Sequence, residues 1–103
     1  MKSILFKLLF ILFVSFTFSC GKSTDVVESG TYTGKIIEVE ADKSEIYVEI
    51  EDGKVLELYF IEETTLTQNG EIVPFENLNE DQTVEVKIKK VGKRLDPLSV
   101  TIK

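Results

Sequence analysis

From Tyr32 to Ile102 apolar and polar residues alternate with period two, the spacing of strands with one buried face. Ile46, Val48 and Ile50 alternate with Glu45, Tyr47, Glu49 and Glu51. Asp52-Gly53 follows, a pair that tolerates positive φ and so suits a tight hairpin. The return strand puts Leu56, Leu58 and Phe60 on one face and Glu57 and Tyr59 on the other. A second turn signal, Asn69-Gly70, joins Thr65-Leu66-Thr67 to Ile72-Val73. Val84, Val86 and Ile88 then alternate with Glu85, Lys87 and Lys89, Gly92 opens a further turn, and Leu98, Val100 and Ile102 read as the inward face of a last strand.

The pattern is interrupted in two places. Adjacent Ile36 and Ile37 place apolar groups on both faces of the first strand, which predicts a β-bulge or a bent strand serving two sheets. Pro74-Phe75-Glu76-Asn77-Leu78 can form one helical turn, and Phe75 and Leu78 would plug an end of a barrel. Five main strands, a bent first strand and a helical insert before the fourth predict an all-β fold. The expected form is a small antiparallel five-stranded OB-like barrel, with a small β-sandwich as the alternative.

The first thirty residues follow another pattern. Lys2 and Lys7 precede the apolar run from Leu8 to Phe18, a positive region and a hydrophobic region of signal-peptide length. As a helix the run would span about 17 Å, short of a ~30 Å hydrocarbon core. Ser19-Cys20-Gly21-Lys22 resembles the bacterial lipobox, although Thr17 stands where Leu is usual. The resemblance implies loss of residues 1–19 and palmitate-type acyl chains on Cys20, the only cofactor-like group expected. Two or three chains at about 0.8 kcal/mol per buried methylene would anchor the protein firmly. Gly21, not Asp, follows the Cys, which leaves the outer membrane and the outer face of the inner membrane both open. An ordinary signal peptide or an uncleaved anchor is the alternative. Residues 20–30 are polar and aperiodic and read as a lipidated Cys with a flexible tether of about 18 Å typical reach. Residues 31–103 are the domain.

Charge and composition narrow the chemistry. Without residues 1–19 the chain keeps 10 basic against 18 acidic residues, a net charge of −8 that disfavours nucleic acid. There is no His and one Cys, which excludes Cys–His and Ser–His–Asp catalysis and zinc or haem ligation. A core of some 70 residues without staples supports a stability of about 5 kcal/mol.

The runs Thr33-Gly34-Lys35-Ile36-Ile37-Glu38-Val39, Glu62-Glu63-Thr64-Thr65-Leu66 and Ile72 to Val86 resemble small envelope proteins of unknown function with an OB-like barrel. Those families often carry Gly before the fourth main strand, where this chain has Glu80-Asp81-Gln82. The resemblance implies a fold and no activity.

Three groups are candidates for chemistry. Glu38, Glu40, Glu45 and Glu49 would share a face if the first two strands pair, and close carboxylates can hold a hard cation or act as acid and base. The simpler reading is a solvated face that keeps the sheet soluble. Tyr47 and Tyr59 would form a stacking platform or pack across strands. Lys87 and Lys89 lead a basic cluster with Lys90, Lys93 and Arg94 that can meet anionic lipid, a phosphate or an acidic partner. No catalytic residue is expected. The expected role is a non-enzymatic, lipid-anchored envelope module that binds a protein or small ligand, with no nucleic acid partner. A carboxylate-based cation-binding or hydrolytic domain is the alternative.

Overall fold

The computed structural model describes residues 24–103. The expected signal peptide and Cys20 lie outside the described residues. Seven strands form one sheet: β1 (Gly30–Glu40), β2 (Glu45–Ile50), β3 (Val55–Tyr59), β4 (Thr65–Gln68), β5 (Glu71–Ile72), β6 (Thr83–Val91) and β7 (Arg94–Ile102). Their order is β3-β2-β1-β6-β7-β4-β5. β3 lies against β7, so the sheet curls onto itself. The Thr64 hydroxyl donates to the Pro97 carbonyl across this join, at 2.7 Å. The five long strands make the OB-like barrel, and β4–β5 is a short hairpin inserted after the third, with β4 parallel to β7.

The irregular positions of the pattern have physical causes. β1 pairs with β6 through its first half and with β2 through its second. It changes partner at Gly34 and Lys35, which pair with both neighbours, and a Cβ on Gly34 would stand 2.5 Å from the Glu49 carbonyl oxygen. Only glycine permits so close a crossing. The register then slips between Ile36 and Glu38, so that Ile36 is buried and Ile37 points out. This is the bulge that the double Ile predicts. The Ile36 amide donates to Gln82 and its carbonyl accepts from Asp81, at 2.9 and 2.8 Å. Asp81 takes φ 76°, filling the left-handed position where glycine is usual. Asp52-Gly53 and Asn69-Gly70 both adopt positive φ, as expected of the two hairpin turns.

Ile36, Ile46, Val48, Leu56, Leu58, Val84, Val86 and Val100 are wholly buried and fill the barrel. A 3-10 turn at Phe75–Asn77 closes one end, with Leu78 buried and Phe75 edge-on to Phe60, ring centroids 5.1 Å apart. The last strand differs from expectation. It starts at Arg94, and Leu95 and Pro97 face inward while Leu98 is pushed out. Lys87 pairs with Ser99 and Ile88 with Pro97, so Leu98 is the extra residue of a bulge. Pro97 has no N–H to give the ladder, and a bulge is where a strand accommodates that loss.

The tether also needs correction, because residues 24–29 do not hang free. Asp25 bonds the β3 edge twice: its amide donates to the Val55 carbonyl at 2.8 Å, and its carboxylate accepts from the Val55 amide at 3.0 Å. The Ser29 hydroxyl accepts from the Lys90 amide at 2.8 Å, and Val27 packs on the core. Unpaired backbone groups on β3 supply the reason, since an open strand edge favours any chain able to satisfy it.

Candidate functional site

The outer face of β1–β2–β3 carries the acidic and tyrosine candidates. Antiparallel pairing sets Glu40 opposite Glu45 and Glu38 opposite Tyr47, so three of the four predicted carboxylates gather on one surface. Glu49 lies toward the other end of β2, opposite Lys35 and Val55. Tyr47 faces Glu57, whose carboxylate accepts from its hydroxyl at 3.5 Å, and Tyr59 faces Glu45. The two tyrosines are therefore diagonal neighbours and not a stacked pair. Lys87 and Lys89 lie elsewhere. Lys87 pairs with Thr31 on β1, seven residues from Glu38 and about 20 Å along the strand.

Glu45 departs from its expected solvated place. It is only 6% exposed although it sits on the polar side of β2. The β6–β7 hairpin and the leading segment crowd over this corner. Together with β2 and β3 they line a cavity of about 330 Å³. Glu45, Glu57 and Tyr59 form one wall, Thr24, Asp25 and Val26 a second, and Lys93, Arg94 and Leu95 a third. Two other depressions have similar volumes, about 340 and 290 Å³, so chemistry and not size distinguishes this one. It is also the one that holds a buried carboxyl.

Burial and neighbours act together on that carboxyl. A hydrogen bond to Glu57 comes first, then desolvation, then the Glu57 charge. Lys43 opposes them and Glu40 adds to them, and the Glu45 pKa is pushed up to about 7. Glu45 is therefore only partly ionised near neutral pH. On the opposite wall Arg94 grips Asp96 through two bonds, 2.7 and 3.1 Å, which holds the Asp96 carboxyl below its usual range. Lys93 has no ion pair among the described residues. Glu57 and the leading segment are the parts of this site that sequence reasoning missed, and Lys93 it placed only in the basic cluster. The period-two pattern does place Glu57 beside Tyr59, but it does not bring residues 24–26 or the Gly92 turn to them.

Among the described residues no three acidic side chains converge as metal ligands, and no helix is long and apolar enough to cross a membrane. No protein-family model matches the sequence, and no curated protein matches it. Two solved structures are similar in fold. One is a crystal structure of Ag(I)CusF, at TM-score 0.56 and 8% identity, covering 75% of this chain and 100% of that one. The other is a Cu(II) structure of a tryptophan-to-alanine variant of CusF from Escherichia coli, at TM-score 0.58 and 7% identity, covering 79% of this chain and 99% of that one. At such identity the likeness is one of fold alone: the chain is an OB-like barrel of the shape that CusF also has.

Proposed function

We propose that this chain is a non-enzymatic, lipid-anchored protein of the bacterial envelope whose barrel binds a small ligand or a protein at the cleft beside Glu45. The cleft carries the reading. A carboxyl withdrawn from water next to exposed Tyr59 and a Lys93 with no ion pair among the described residues is a costly arrangement that barrel stability does not require. The anchor reading rests on the sequence around Cys20.

The metals of the CusF structures do not carry over. Ag(I) and Cu(I) favour thioether and thiolate donors, and Cu(II) favours imidazole. This chain has no His, its single Met is Met1 and its single Cys is Cys20, so residues 24–103 offer oxygen and amine donors only. A second reading draws on the Glu45–Glu57 pair, which would hold a hard cation such as Ca²⁺ or exchange a proton with a hydrolytic substrate. A rise in melting temperature at millimolar Ca²⁺ would support it, and an unchanged melt would remove the cation form.

The main reading is tested by mild crosslinking of the tagged protein in its native envelope, with Tyr59→Ala run in parallel. The expected result is a crosslinked species from the wild-type chain that the variant loses. Recovery of the bare protein from both would overturn it. Mass spectrometry of the same material reads the anchor, and an unmodified sulfur at Cys20 would refute it.

A further inference from the structure

We propose that the cleft receives an aminophospholipid headgroup, with the primary ammonium against Glu45 and Glu57 and the phosphate against Lys93. This deepens the binding and anchoring readings above by naming a ligand.

Charge of both signs is the first observation. The β2–β3 wall presents two carboxyl groups and the β6–β7 hairpin presents Lys93 across the same cavity. A purely cationic or anionic ligand would leave one wall unmatched, whereas a zwitterion answers both. The Glu45 carboxyl, buried and hydrogen-bonded to Glu57, is the acceptor that this wall offers to one ammonium. Other ionic groups surround the pair: Glu40 on β1, Lys43 in the turn after it, Asp25 on the leading segment and Arg94 on β7. Asp25 is engaged by the Val55 amide and Arg94 by Asp96, so Lys93 is the cation left for a phosphate. The cavity volume of about 330 Å³ lies at the small end of the range for ligand pockets.

Place is the second observation. The described chain starts at Thr24, on the wall of this cleft, four residues after Cys20. Four Cα steps reach at most about 14 Å. Since residues 25–29 are bonded to the barrel, an acyl anchor at Cys20 would hold this corner of the molecule beside the bilayer. The rim suits that position. Val26 and Tyr59, 45% and 52% exposed, line the cleft, and Val91, 37% exposed, pairs with Arg94 at the hairpin tip. Tyrosine, aliphatic groups and long basic side chains form the usual composition of a protein surface at a lipid headgroup layer. Ile72, 79% exposed, lies at the far end, where β4 runs beside the end of β7.

The test uses the chain from position 20 onward carrying Cys20→Ser, so that any membrane binding comes from the barrel. Flotation with vesicles of phosphatidylcholine is compared with vesicles of equal parts phosphatidylcholine and phosphatidylethanolamine. Soluble glycerophosphoethanolamine is titrated in parallel against the amide resonances of Glu45, Glu57, Tyr59 and Lys93. The expected result is at least fivefold tighter binding to the ethanolamine vesicles, because a trimethylated ammonium has no N–H to donate to the carboxylates. Glu57→Gln should abolish that preference, and Lys93→Gln should weaken binding to both vesicles alike, with the fold retained by circular dichroism, both side chains being exposed. A response to the soluble headgroup without vesicle preference would support the same chemistry with a free source. Equal binding to both vesicles with no response to the soluble headgroup would overturn the proposal. If Cys20 of native material is acylated in that case, this inference fails alone. If Cys20 is unmodified and the ethanolamine preference is present, the anchor reading fails and the headgroup site stands.

Discussion

The two faces of the β2–β3 ribbon are made by the same eleven residues, yet they are governed by different rules. The inner face, Ile46, Val48, Leu56 and Leu58, is wholly buried, and every member is an aliphatic group at the spacing the strand imposes. On the outer face Glu45 is 6% exposed and Tyr59 52%, with Tyr47 half-buried and Glu57 exposed. Glu45 shares its cleft with Asp25, Lys93 and Leu95, residues that are distant along the chain. One face is written locally and the other is assembled. Stability should therefore track the inner face, and pH response and binding the outer one.

Substitutions can break that division. Leu58→Ala should have the largest effect, about 3 kcal/mol, from lost burial plus the cavity left behind. In a domain of about 5 kcal/mol this takes most of the stability, and urea titration would show the midpoint falling steeply. Glu45→Gln should act with the opposite sign. The folded carboxyl titrates near 7 against an ordinary 4.5, so the folded state holds a proton that the unfolded chain releases first. The stability due to that proton is complete below about pH 4.5 and is lost as pH rises through 7. The variant should match wild type at pH 4 and exceed it by about 2 kcal/mol at pH 8, seen in parallel melts. Asp25→Ala should cost about 1 kcal/mol by removing the side-chain bond to the Val55 amide, and hydrogen exchange at that amide should quicken. Tyr59→Ala should change stability by less than about 0.5 kcal/mol, since half the ring is already in water, while removing whatever the cleft captures.

Most of the barrel was legible because a two-residue period leaves little freedom. Hairpin turns were marked by Asp52-Gly53 and Asn69-Gly70, through backbone conformations open to few residues, and the bulge by the break in alternation at Ile36-Ile37. The end of the chain was misread where Pro97 lies. Leu98, Val100 and Ile102 alternate cleanly, but a missing amide shifted the phase and expelled Leu98. The site was half legible. Pairing of Glu40 with Glu45 follows from the hairpin, whereas the cleft beside Glu45 is lined in part by a leading segment that composition alone reads as loose. Polarity says that a segment can live in water. It does not say whether a bare strand edge is waiting for it.

The pairing of β1 with β6 joins Gly30 to Ile88, positions at opposite ends of the domain. Until β6 exists, β1 can complete only half of its ladder, and the β1–β2–β3 meander holds its oily side open to water. Closure of a loop of about fifty residues must come before the interior can dry, which places this domain among the slow folders. A chain that stays pliant until its last two strands arrive would be easy to thread through a narrow passage, and would set into shape only on the far side.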